Sequence, residues 1–177
     1  KALGKQLSNL FALFLCNHRQ SLSKEMLIET IWNDSDNPAS AMKYAIHRLR
    51  NTLKKIPGMG RDEWIVTTKN GYQFNDDLDF AIDFEQFEEE ILQAKKTAEL
   101  NRIQKSLDLY QDHFLSRMDS DWIILDRGYF QTMYFQAAEL LSKEYLSLSK
   151  LQESIDVAKK ALGFDAFNEE LNYTYLK

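Results

Sequence analysis

The residues best suited to chemistry in this chain lie between positions 37 and 74, and they suit the gripping of phosphates and base edges rather than the making of bonds. At about 100° per residue, Ser40, Tyr44, His47, Arg48, Asn51 and Lys55 share the outer face of one predicted helix, with Lys43, Arg50 and Lys54 on its flanks. From Lys43 to Lys55 there are five Lys or Arg and no acid. A guanidinium such as that of Arg48 matches the two acceptors of guanine in the major groove, whereas a lysine suits a phosphate. Just beyond the helix, Trp64-Ile-Val-Thr-Thr-Lys, then Asn70-Gly71, then Tyr72-Gln-Phe74 reads as two strands joined by a tight Asn-Gly turn, with Lys69 at the tip. A basic helix beside a small hairpin predicts major-groove binding flanked by a two-stranded wing.

Several signals position that helix. Asn37 caps its start and Pro38 suits the first helical position, where no amide is needed. Pro57, Gly58 and Gly60 stop it. Met42, Ala45, Ile46, Leu49, Leu53 and Ile56 recur at helical spacing on the opposite side and are assigned to a core. Upstream, residues 3–16 read as a helix with Leu3, Leu7, Leu10, Phe11, Phe14 and Leu15 as its apolar stripe. Ser23 reads as the cap of a second helix, and Leu22 and Leu27 have the spacing of a hydrophobic staple. Leu27, Ile28, Ile31 and Trp32 face inward, and the polar run 33–37 is a turn.

The net charge of −5 conceals a division. Residues 1–75 hold 11 Lys or Arg against 6 acids, a net of +5, while residues 76–177 hold 11 against 21, a net of −10. Affinity for DNA follows the local field of the contacting face, so a basic module joined to an acidic one still binds. A boundary is expected where the sign reverses, giving domains at 1–76 and 77–177. Helices are predicted at 83–95, 98–110, 122–149 and 152–162, with another opening near Asn168. Ile155, Ala158, Ala161 and Leu162 mix alanine with larger apolar residues, as paired helices of repeat arrays do. The aromatics Phe84, Phe87, Tyr110, Phe114, Trp122, Tyr129, Phe130, Tyr134 and Phe135 are expected to fill gaps between these helices.

Two groups of residues resemble a known family. Met42-Lys-Tyr-Ala-Ile-His-Arg-Leu-Arg-Asn-Thr-Leu53 with Ile65-Val-Thr-Thr-Lys-Asn-Gly-Tyr-Gln-Phe74 is similar to the recognition helix and wing of OmpR-type response-regulator domains. Leu109-Tyr-Gln-Asp-His-Phe-Leu115, Asp121-Trp122, and Ala158 to Leu162 with Asp165-Ala-Phe-Asn-Glu-Glu-Leu171 resemble the bacterial transcriptional activator domain that follows the winged helix in antibiotic regulatory proteins of the SARP family. The resemblance implies a mainly α fold: a winged helix-turn-helix of three helices plus a β-hairpin wing, followed by an α-helical TPR-like repeat domain. It also implies that the chain is a fragment, lacking the family's N-terminal sheet and truncated within the helical array. Asp112 stands where the family usually has glycine, and its tolerance of left-handed backbone suits a turn there.

Carried over position by position, the resemblance implies that Tyr44 and Arg48 lie nearest the base edges and that Ser40, Ala41, His47 and Arg50 lie toward the backbone. Thr67, Thr68 and Lys69 match wing positions that touch phosphate or the minor groove. Implied partners are double-stranded DNA and, for the helical domain, RNA polymerase, another subunit or an upstream receiver or sensor domain.

Other chemistries find little support. His18, His47 and His113 lack metal-ligand spacing, and the single cysteine, Cys16, permits no intrachain disulfide. Glu88-Glu89-Glu90 reads as a solvated face, and Gly58-Met-Gly60 lacks the lysine and hydroxyl of a phosphate loop. No cofactor and no catalysis are expected. The absence of a leader or an apolar span makes a cytoplasmic setting, away from membranes, the default expectation. The alternative from another class is a protein-interaction scaffold whose winged helix is a degenerate docking module.

Overall fold

The computed structural model describes residues 3–56, 63–75, 77–97 and 99–176. The expected stop at Pro57, Gly58 and Gly60 lies outside these residues. Two compact units emerge, Lys1–Phe80 and Ala81–Lys177. The division falls four residues later than the expected one because Phe80 belongs to the first core. Its ring packs edge-on against Phe74 (centroids 4.9 Å apart) and against His18 (5.5 Å).

The first unit holds α1 (Lys5–Cys16), β1 (Leu22–Ser23), α2 (Lys24–Ile31), α3 (Pro38–Leu53), β2 (Ile65–Thr67) and β3 (Gly71–Phe74). Leu7, Leu10, Leu13 and Phe14 of α1 are buried against Leu27 of α2 and Met42, Ala45, Ile46, Leu49 and Leu53 of α3, one apolar stripe from each helix. The staple pair Leu22 and Leu27 is buried as expected. Both predicted caps form. The Ser23 hydroxyl accepts the Met26 amide at 3.0 Å, and the Asn37 side-chain oxygen Oδ1 accepts that of Ser40 at 3.3 Å.

Three readings need correction. Ile56 is not core: α3 ends at Leu53, the chain leaves helical geometry through two tight turns, and Ile56 is 38 % exposed. The two-stranded wing forms, β2 against β3, but it does not stand alone. β1 joins it, giving the order β1-β3-β2, with Leu22 opposite Tyr72 and Ser23 opposite Gly71. Nor do Asn70 and Gly71 form the turn. Thr67 faces Tyr72 and the Thr68 amide donates to the Gly71 carbonyl at 3.0 Å, so Lys69 and Asn70 occupy the bend and Gly71 starts β3.

The second unit is helical: α4 (Asp83–Thr97), α5 (Leu100–Leu109), a single 3₁₀ turn (Asp121–Ile123), α6 (Ile124–Ser147), α7 (Leu151–Leu162) and α8 (Glu169–Leu176). Each helix packs on the next, and α6 also touches α4 and α8, the pattern of stacked helical hairpins. Small residues let α6 and α7 approach closely: Ala138, Ala158 and Ala161 are fully buried, and the Ser142 and Ser154 hydroxyls meet at 2.8 Å. Ile155 and Leu162 are only half-buried; Ser154 and Val157 take their places on the core side.

Phe87, Tyr110, Phe114, Phe130, Tyr134 and Phe135 are buried as anticipated, whereas Tyr129 is exposed and donates its hydroxyl to Glu88. The left-handed residue of the 110–120 loop is Leu115 (φ 48°), not Asp112. Asp112 instead turns its carboxylate to the His113 amide (2.7 Å) and the Ser116 hydroxyl (2.6 Å). The loop is held by Arg127, whose guanidinium donates to the carbonyls of Phe114, Leu115 and Met118 at 2.8–2.9 Å.

Candidate nucleic-acid interface

The 16 residues of α3 separate cleanly into two faces because its apolar residues recur every three or four positions. With Met42, Ala45, Ile46, Leu49 and Leu53 buried, the opposite face is left to Ser40, Lys43, Tyr44, His47, Arg48, Asn51 and Lys54, all exposed; Ala41 is half-buried at the edge of the first turn. Tyr44 is 64 % exposed, which is unusual for a large ring without a partner surface. The Arg48 guanidinium lies over that ring, 5.6 Å from its centroid, so the two side chains one helical turn apart are in cation–π contact.

One turn further on, the Asn51 side-chain nitrogen and His47 Nε2 are 2.8 Å apart. With the amide nitrogen donating to the ring, the Asn51 oxygen is left as an acceptor. The helix therefore presents, in order, a phenol, a guanidinium and an amide, each of them a group that base edges recognise.

Arg50 behaves differently. It is half-buried, and its guanidinium donates to the Ile65 carbonyl (2.8 Å) and the Thr67 hydroxyl (3.0 Å), lies 3.4 Å from the Glu63 carboxylate and rests over the Tyr72 ring at 5.8 Å. It is a strut that fixes the wing against the helix. Thr67 is engaged with that strut, and the Thr68 hydroxyl is shared between Ser21 (2.7 Å) and the Gly71 amide (3.1 Å), so neither hydroxyl points freely outward. Lys69, at the bend, is exposed.

Sequence reasoning missed Ser21, Glu63 and Tyr72 as parts of this frame. Ser21 meets Thr68 across 47 residues, a separation that no local pattern encodes. Arg50→Met should free the hairpin: the loss of bonds from a charged donor costs about 1.5–3 kcal/mol when buried and less at this half-exposed site. Amide exchange of residues 65–67 and 71–74 should quicken while that of 83–97 holds. Unchanged exchange in both would show that the strut carries no weight.

Residues 2–74 match the family model described as "Transcriptional regulatory protein, C terminal". No curated protein matches the chain significantly. Among solved structures, EmbR of Mycobacterium tuberculosis, determined in complex with a low-affinity phosphopeptide, has the same fold, with a TM-score of 0.78 at 13 % identity. The match covers 98 % of this chain and 48 % of that one, so the chain spans about half the length of EmbR. The first unit is thus a winged-helix domain of the transcriptional regulatory protein family, and a helical domain follows it as in EmbR, so the SARP-type resemblance holds at the level of fold. The family model that matches residues 2–74 is one of transcriptional regulatory proteins, and the likeness to EmbR is one of fold. Among the described residues, no group of side chains is arranged to hold a metal ion and no helix is long and apolar enough to cross a membrane.

Proposed function

We propose that the chain is a sequence-specific DNA-binding regulator in which α3 enters the major groove and the wing rests on the adjoining phosphates. The observation that carries this reading is the stacked pair of Tyr44 and Arg48, exposed at the centre of a face that holds no acid. Arg48 and Asn51 read base edges, with Tyr44 steadying the guanidinium and touching the groove wall. The Ser40 hydroxyl, at the start of α3, meets a phosphate, where the helix dipole favours an anion; Ala41, whose amide is bonded to the Asn37 carbonyl, offers its methyl beside it. Lys43, His47 and Lys54 flank the groove. Lys69 adds a phosphate contact from the wing, whereas Arg50, Thr67 and Thr68 act by positioning it.

The acidic helical unit is repelled by the duplex and serves protein contacts, with RNA polymerase, another subunit or a sensor or receiver domain as the candidate classes. The setting of such a regulator is the cytoplasm. Selection of bound sequences from a random duplex pool tests the reading. A regulator enriches one motif, while a scaffold with a degenerate winged helix enriches none and binds only weakly. Lys69→Ala should weaken binding to every duplex alike and lower the slope of log K against log salt by about 1. An unchanged slope would remove the wing from the interface.

A further inference from the structure

The second unit contains an opening that the DNA-binding reading does not use. It is a cavity of about 270 Å³ formed by the first turns of α4, the end of α5, the loop that follows and Phe130 of α6. Its walls are aromatic. Phe84, Phe114 and Phe130 pack on one another at centroid separations of 4.7–5.6 Å, and Phe87 lies 5.5 Å from Tyr110.

The polar part of the rim is acidic. Asp83 and Asp112 are its two charged lining residues, and among the described residues no Lys or Arg lines it. The Ser116 hydroxyl and the His113 amide donate to the Asp112 carboxyl and hold it below the usual carboxylate range, with a lesser pull from Arg117. Burial pushes the Tyr110 phenol up to about 12, so that wall stays neutral and the carboxylates set the charge. The half-buried Arg127 does not line the cavity; its guanidinium is turned to the three loop carbonyls. Those bonds hold Leu115, another lining residue, in left-handed backbone that a leucine rarely adopts. Strain of this kind gathers at ligand sites.

From these walls and this rim we infer that the cavity binds a small organic cation, an ammonium or guanidinium carried on a compact apolar or aromatic body. Ring faces carry negative partial charge and attract a cation laid against them, and two carboxylates at the mouth add to the pull on the same ligand. The volume suits a ligand of roughly ten to fifteen heavy atoms, below the size of most drug-like molecules.

The test uses the full chain and phenethylammonium as probe, with the isosteric phenethyl alcohol and 3-phenylpropionate as controls, followed by NMR of the aromatic side chains. The cation should bind with a Kd of about 0.1–1 mM, at least tenfold tighter than either control, and shift the Phe84 and Phe114 resonances. Asp83→Asn keeps the size of the side chain and the oxygen that accepts the Phe84 amide, and Asp112→Asn keeps the size and one of its two accepting oxygens. Each should weaken the cation severalfold and leave the alcohol unchanged. Equal binding of the cation and the alcohol, no effect of either substitution, or no saturable shift with the cation would overturn the inference.

Discussion

Arg48→Ala is expected to weaken binding to the selected site by about 1–3 kcal/mol, roughly five- to 150-fold, while binding to random duplex falls far less. The asymmetry follows from what each contact reads. A phosphate is present at every register, so loss of a phosphate contact weakens all sequences alike; a bidentate bond to guanine exists only where guanine stands. The position of Arg48 favours base reading. It sits mid-helix, one turn beyond Tyr44, on the side away from the buried Ile46 and Leu53, with its guanidinium already lying over a ring. Stacking removes much of the rotamer freedom that an arginine otherwise loses on binding. Tyr44→Phe keeps the ring and should retain most of the affinity, whereas Tyr44→Ala should lose part of the Arg48 effect. Quantitative binding to the selected and scrambled duplexes at one salt concentration measures all three. Equal losses on both duplexes for Arg48→Ala would reject base reading there.

The second large effect is expected at Gly71. A Cβ placed there would lie 1.9 Å from the Leu22 carbonyl oxygen and 2.8 Å from its carbon, both of them backbone atoms that cannot rotate away. Gly71→Ala therefore forces β1 off β3, breaking the pairs of Leu22 with Tyr72 and Ser23 with Gly71 and pulling the buried Leu22 from the core. The cost is about 3 kcal/mol, at the upper end for overpacking and a large share of a small domain's stability. Amide exchange of core positions in α1 and α3 should accelerate roughly 100-fold if they open by global unfolding of the first unit. Exchange in α6 and α7 should not change. Protection unaltered at Leu10, Leu13 and Leu49 would mean that the strands separate at little cost.

Gly71 also illustrates what could and could not be read in the sequence. Asn-Gly between β-branched residues announces a hairpin, and the hairpin is present. The glycine, however, answers to a strand 48 residues earlier rather than to the turn, and a two-residue strand such as Leu22–Ser23 leaves no periodicity to detect. The two faces of α3 and its cap were legible because each rests on residues within one or two turns of one another.

Ile56 shows where that logic ends. Its spacing continues the apolar stripe, but the helix stops at Leu53. Arg50 shows a different limit. Periodicity puts it on the flank of the basic face, and only the hairpin folding back beside it reveals that its guanidinium is engaged within the protein. In the second unit, alternating helical stripes made the helices readable, whereas the loop held by Arg127 depends on carbonyls 9 to 13 residues away.

The central claim is that the outer face of α3 meets the bases. It is tested most directly by mapping NMR amide and side-chain shifts of the full chain as a selected duplex is added. The account predicts the largest changes at Ser40, Tyr44, Arg48 and Asn51, with a second set at Lys69, and little change in residues 83–176. Shifts confined to the helical unit, with α3 and the wing unmoved, would contradict it.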